Sequence, residues 1–232
     1  MSLQNPKSSV ELRHRIQIVR RDIGSLCFHF TRSAPPDSDA EQYFRHIGTV
    51  APGTPALAVL TKILRESALK GSTRWCSSSP IVCFTDTPIT EFAKLFSLPS
   101  ISVHPDQIVR YEPYGIAVSK RWLYDQGGRP VIYDEPRNAS LYDGTLRFRQ
   151  VDYDPANGVD YSWEREWRIA TTELSLDPHE TLVVVPTAEE AFQLMHDTAV
   201  VELDPTEIGT AVTLTPRWLA VSLDVLGYDL QV

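Results

Sequence analysis

The apolar residues of this chain come in short alternating runs, each cut off by proline, glycine or a cluster of polar residues. Leu26 to Thr31, Ile81 to Thr85, Tyr114 to Val118, Pro130 to Tyr133, Trp163 to Ile169, Thr181 to Val185 and Arg217 to Leu223 are rich in β-branched and aromatic residues. Runs of that length and content read as strands. Helical spacing appears instead over Val10 to Ile23, closed by Gly24, and over Pro55 to Ala68, Pro88 to Phe96, Ser119 to Tyr124 and Thr187 to His196. Long polar connections separate these elements, among them the Pro-, Asp- and Ser-rich stretch from Ser33 to Pro55, with one expected turn of helix near Glu41 to Phe44. Such a pattern predicts an α+β chain with a mixed or antiparallel sheet. A doubly wound nucleotide fold is disfavoured, because neither a Gly-x-Gly-x-x-Gly turn nor a phosphate-loop lysine motif occurs.

With 232 residues, 42% of them hydrophobic, the chain carries enough apolar material for a sizeable core, and one domain over 1–232 is expected. A formal charge of −8 offers no global basic surface to a phosphate backbone. The local cluster Arg13, His14, Arg15, Arg20 and Arg21 reads first as the solvated face of an N-terminal helix over 10–23. Cys27, Cys76 and Cys83 fit neither a disulfide framework nor an all-cysteine zinc site, and Cys27 and Cys83 are expected as buried thiols. No apolar stretch of signal-peptide or membrane-span length occurs, so a cytoplasmic protein without membrane partners is expected.

The chemistry is concentrated in Trp163-Glu164-Arg165-Glu166-Trp167-Arg168-Ile169. If the whole run is a strand, side chains alternate, and Glu164, Glu166 and Arg168 share one face. Carboxylates two residues apart on a strand are roughly 6.5 Å apart, close enough to act on one small substrate and far enough to hold different protonation states. That geometry suits glycosyl chemistry; the simpler reading is two acids neutralised by Arg168 and a second cation. A second clue is His29 and Thr31, on one face at a strand end where a long loop begins. Its bland counterpart is a buried histidine satisfied by backbone carbonyls. In Cys83-Phe84-Thr85-Asp86-Thr87-Pro88, polar side chains follow an apolar strand, and Asp86 or Thr87 could simply cap the next helix.

Together, His29-Phe30-Thr31, the Ile63-Leu64 helix followed by a glycine, Cys83 to Pro88, Tyr114-Gly115-Ile116-Ala117-Val118-Ser119-Lys120, Pro130-Val131-Ile132-Tyr133 and Trp163 to Arg168 resemble the AbiGi-type abortive-infection proteins of bacteria. Their order over residues 24 to 190 is similar to that of the DarT-like ADP-ribosyltransferases. This resemblance implies a single domain with a split mixed/antiparallel β-sheet clamp of ADP-ribosyltransferase type, binding NAD as substrate and no metal. It implies that His29 binds the adenosine-side ribose, that Thr31 supports it or contacts the nicotinamide end, and that Thr85 is the polar contact beside nicotinamide. Glu166 would hydrogen-bond the nicotinamide ribose and stabilise the charge built up as nicotinamide leaves, and Glu164 would orient or deprotonate the acceptor.

The sequence departs from the Glu-x-Glu transferases in carrying His29 where they begin with arginine. Members of the histidine type add a tyrosine, for which Tyr114 is the first candidate and Tyr111, Tyr124 and Tyr133 compete. The resemblance leaves the acceptor open between DNA, RNA and protein, and implies a cognate toxin or antitoxin partner. Two other readings stand beside an ADP-ribosyltransferase acting as toxin or phage-defence effector. One is a non-catalytic antitoxin or nucleotide-sensing interaction module on the same fold. The other is a metal-dependent nuclease using Asp152, Glu164 and Glu166.

Overall fold

A computed structural model describes residues 24–33, 54–73, 79–96, 111–197, 199–202, 213–228 and 230. The expected helix over 10–23 and the turn near Glu41 to Phe44 lie outside these residues. The strands are β1 (Leu26–Phe30), β2 (Ala68–Lys70), β3 (Ile81–Thr85), β4 (Gly115–Ser119), β5 (Arg129–Pro130), β6 (Ile132–Asp134), β7 (Gln150–Asp152), β8 (Glu166–Ala170), β9 (Glu173–Ser175), β10 (Thr181–Val185), β11 (Ala199–Glu202), β12 (Thr213–Pro216) and β13 (Leu219–Ser222). The helices are α1 (Ala56–Glu66), α2 (Ile89–Phe96), α3 (Lys120–Asp125) and α4 (Ala188–Asp197). The fold is mixed α and β, with one large mixed sheet and few helices.

That sheet has seven strands in the order β13-β10-β4-β1-β3-β8-β5, and three two-stranded ladders accompany it. Within it only β10 and β13 run parallel. β1 is fully zipped to β4 from Leu26↔Ser119 to Phe30↔Gly115, and β3 is fully zipped to β8 from Ile81↔Ala170 to Thr85↔Glu166. Between β1 and β3 a single pair is in register, Phe28↔Thr85. The sheet is thus one surface with a seam, and the expected Pro130 to Tyr133 strand is divided into β5, at the sheet's outer edge, and β6, which pairs with β7.

Both faces of the sheet are covered, which fixes the register, because a slip of one residue would turn every side chain to the wrong side. On one face Cys27, Val82, Phe84, Ile116, Val118, Ile169 and Val183 meet α1 and α4. Helix α1 supplies Ala56, Val59, Leu60, Ile63 and Leu64, the spacing of a single helical stripe. Each fully buried leucine or isoleucine there contributes roughly 1.5–3 kcal/mol. On the other face Phe28, Ala117, Val184 and Leu223 pack with Phe30 and with Ile89 and Phe96 of α2.

Local signals set the helix ends. The Ser119 hydroxyl accepts from the Trp122 N–H at 3.0 Å and starts α3. Thr187 and Glu190 form a reciprocal capping box on α4, at 3.2 Å from the Glu190 N–H to Thr187 Oγ1 and 3.3 Å from the Thr187 N–H to Glu190 Oε2. No helix among the described residues is long and apolar enough to cross a membrane.

Gly115 lets β4 approach β1. A Cβ built there would stand 2.4 Å from the His29 carbonyl oxygen and 3.0 Å from the Phe30 Cα, both backbone atoms that cannot move aside alone. Gly115→Ala is therefore expected to destabilise the chain by about 1–3 kcal/mol in urea unfolding, the range for overpacking a filled interior. An unchanged midpoint would show that the two strands are not in this contact.

Candidate functional site

The two glutamates do not share one strand. Ser162–Glu164 form a turn of 3-10 helix, Arg165 follows with φ at +46°, and only then does β8 begin, at Glu166. The expectation of Glu164, Glu166 and Arg168 on one strand face thus holds for Glu166 and Arg168 alone. Two local and two long-range hydrogen bonds hold the turn. The Asp160 carboxylate accepts from the Ser162 N–H at 2.9 Å and from its hydroxyl at 2.6 Å. The Thr87 hydroxyl donates to the Trp163 carbonyl at 2.8 Å, and the Thr85 hydroxyl donates to the Glu164 carbonyl. Strand propensity in the run was outweighed by these side-chain bonds to the backbone, which compete with extended structure.

Glu164 and Glu166 are both buried, at 4% and 8% exposure. The carboxylate of Glu166 is gripped by Arg168, whose Nε and second terminal nitrogen each donate at 2.9 Å, one to each oxygen. This is the strong, planar form of an arginine–carboxylate pair. The remaining terminal nitrogen of Arg168 donates to the carbonyls of Phe148 at 3.0 Å and Gln150 at 2.9 Å, tying the glutamate strand to the start of β7 and the turn before it. The Glu166 N–H donates to the hydroxyl of Tyr133 at 3.1 Å. Burial, reinforced by the charges of Glu166 and Glu164, pushes the Tyr133 phenol up to about 12.

The register decides which expected residues can join this site. Thr85 lies opposite Glu166 and opposite Phe28, so Glu166, Thr85 and Phe28 form one row on one face. His29 projects from the other face, with its ring centroid 5.7 Å from that of Phe84. Its Nδ1 is 2.8 Å from the Cys83 carbonyl across the seam. Thr31 is on the same side as His29, and its hydroxyl donates to the carbonyls of Tyr114 at 3.0 Å and Ala56 at 3.3 Å. Tyr114 is buried there too, donating to Glu190 of α4 at 2.6 Å, and burial followed by that bond raises its pKa.

Glu166 and Thr85 are therefore brought together, with the Glu164 carbonyl held by Thr85 and its charge felt at Tyr133, whereas His29, Thr31 and Tyr114 are placed on the opposite face, each bonded to the protein itself. Tyr133, one of three competing tyrosines in the sequence, is the one that reaches the glutamates. Its signal was the position of Pro130 to Tyr133 beside the glutamate strand, which sequence spacing alone does not reveal. Asp86 is likewise turned toward cations, Arg165 and Lys120. Of the expected buried thiols, Cys27 is buried and its pKa is pushed up to about 12 by burial, while Cys83 is half-buried. Among the described residues no group of three histidine, cysteine or carboxylate side chains is placed to hold a metal ion.

Comparison with protein-family models, with curated proteins and with solved structures finds no match to this chain.

Two measurements check this geometry. Arg168→Met strands the Glu166 carboxylate in a buried position and is expected to cost about 3–5 kcal/mol in denaturant unfolding, with a smaller loss in the double variant Glu166→Gln/Arg168→Met. Equal losses in the two would remove the pair from the account. For Tyr133, a phenol whose folded pKa is about 12 stays protonated while the unfolded chain ionises near 10. The stability it supports is complete below pH 10 and is lost as pH rises toward 12. Tyr133→Phe should flatten this part of the alkaline stability profile, and an unaltered slope would contradict the burial.

Proposed function

We propose that this chain is an NAD-dependent ADP-ribosyltransferase-like protein of the AbiGi-type abortive-infection group, with Glu166 as its reacting carboxylate. The observation that carries the reading is the adjacency of three strands, β1-β3-β8. These bear His29-Phe30 with Thr31 just past the strand end, Cys83-Phe84-Thr85 and Glu166, and β1 and β3 are joined by a single registered pair. A split sheet framed by those segments is what the family resemblance implies. In this reading NAD binds against the face that carries Glu166, Thr85 and Phe28, and because all three are buried the residues covering them have to move aside to admit it.

The chemistry would run as follows. The bond between nicotinamide and the ribose anomeric carbon breaks with its electron pair leaving on nicotinamide, and positive charge builds on the ribose. Glu166 hydrogen-bonds the ribose and stabilises that charge, an interaction stronger in the transition state than in the ground state. The acceptor then bonds to the anomeric carbon and gives its proton to Glu164. A carboxylate offers about four acceptor positions, so the two bonds from Arg168 leave Glu166 able to accept another. Tyr133 replaces Tyr114 as the tyrosine of the site. His29 and Thr31 hold the seam and the start of α1 instead of a ribose.

A second reading is favoured by one observation. Both oxygens of Glu166 are engaged by a buried arginine, the arrangement of an acid kept for structure. It assigns the chain to a non-catalytic antitoxin or nucleotide-sensing module on the same fold, with a protein partner in place of an acceptor.

Incubation of the full chain with labelled NAD and separate protein, DNA and RNA acceptors, beside Glu166→Gln, separates the two. Released nicotinamide or transferred label that falls by at least about 100-fold in the variant supports the transferase and identifies the acceptor class. No NAD consumption with any acceptor, together with tight binding of a protein partner, supports the second reading.

A further inference from the structure

We propose that Asp86 is a positioning residue for the glutamate turn, acting through Arg165 from the face of the sheet opposite Glu166. Asp86 follows Thr85 directly, so its side chain leaves on the side of Phe84 and Trp167. There it is 8% exposed and gathers three partners. Arg165 Nε stands 2.7 Å from Oδ1, with its N–H off the line, so the contact is an ion pair and not a hydrogen bond. Lys120, at the start of α3, places its Nζ 2.8 Å from Oδ2. The indole N–H of Trp167 donates to the same oxygen at 3.2 Å. The main chain adds a bond from the Asp86 N–H to the Arg165 carbonyl at 3.2 Å.

Arg165 is the residue between the two glutamates, and its φ of +46° is a left-handed conformation that strains any side-chain-bearing residue. Local strain of this kind persists only where the surroundings over-determine it. Asp86 grips Arg165 at both its side chain and its carbonyl, while Thr85 and Thr87 hold the carbonyls of Glu164 and Trp163 from the neighbouring positions of the same segment. Relaxation of φ at Arg165 would rotate the peptide planes on either side and redirect both carboxylates. Because the Asp86 carboxylate is on the other face of the sheet, it cannot touch a molecule bound against Glu166. Its influence on chemistry would pass through the turn. The kinetic half of this inference rests on the proposed transferase reading; the structural half does not.

The test uses the full chain with Asp86→Asn and the conservative Asp86→Glu. Amide and indole resonances of residues 163–167 are followed by NMR, with β10 and β13 as the internal reference. The expected result is displacement confined to 163–167 in Asp86→Asn, partly restored in Asp86→Glu. In turnover of NAD, kcat should fall about 10- to 100-fold while KM changes less than about threefold, the pattern of misplaced reacting groups and not of lost substrate binding. Unmoved resonances at 163–167, or loss of stability with kcat intact, would overturn the proposal. If the wild type consumes no NAD, the transferase reading fails and the resonances alone decide the role of Asp86. Should Asp86→Asn not fold, Lys120→Met removes one partner from the cluster and must shift the same five residues, or the proposal falls.

Discussion

Everything about the site depends on the strict alternation of side chains in a sheet buried on both faces. Between β3 and β8 the pairs Phe84↔Trp167 and Thr85↔Glu166 cannot exchange faces, because the first belongs to the core under α1 and the second to the opposite side. The same parity crosses the seam through Phe28↔Thr85. It puts Leu26, Phe28 and Phe30 on the glutamate face and Cys27, His29 and Thr31 on the other. A site that required His29 and Glu166 on one surface would need the two halves of the sheet to be out of phase by one residue.

Much of the fold was legible in the sequence. The strands at Leu26, Ile81, Gly115 and Thr181 and the helices at Ala56, Ile89, Lys120 and Ala188 lie where period-2 and period-3.6 patterns place them, because those segments are stabilised by burying one continuous stripe. The site was less legible. Trp163 to Ile169 has the composition of a strand throughout, yet its first half is bent by hydroxyls from Ser162, Thr85 and Thr87. The last two arrive from a segment about eighty positions away, and no local pattern announces them. No local pattern singles out Tyr133 either, since its approach to Glu166 depends on the break between β5 and β6.

Two buried acids are handled in different ways, and the difference is physical. The planar guanidinium of Arg168 meets both oxygens of Glu166 and is itself anchored to two carbonyls. Such a pair is rigid, and losing either member leaves an uncompensated charge. Asp86 shares its charge between two cations from different elements and an indole N–H. The first arrangement fixes a side chain; the second fixes the relation between three pieces of backbone.

Pro130 sits in the outermost strand of the sheet, β5, opposite Trp167. Proline has no N–H to offer, so this edge presents an interrupted row of donors to any strand approaching from solution. The strand is also only two residues long before the chain leaves to form β6. The seven-stranded sheet thus ends beside its glutamate strand in a margin that resists further strand addition, a safeguard against edge-to-edge aggregation next to the buried Glu166–Arg168 pair.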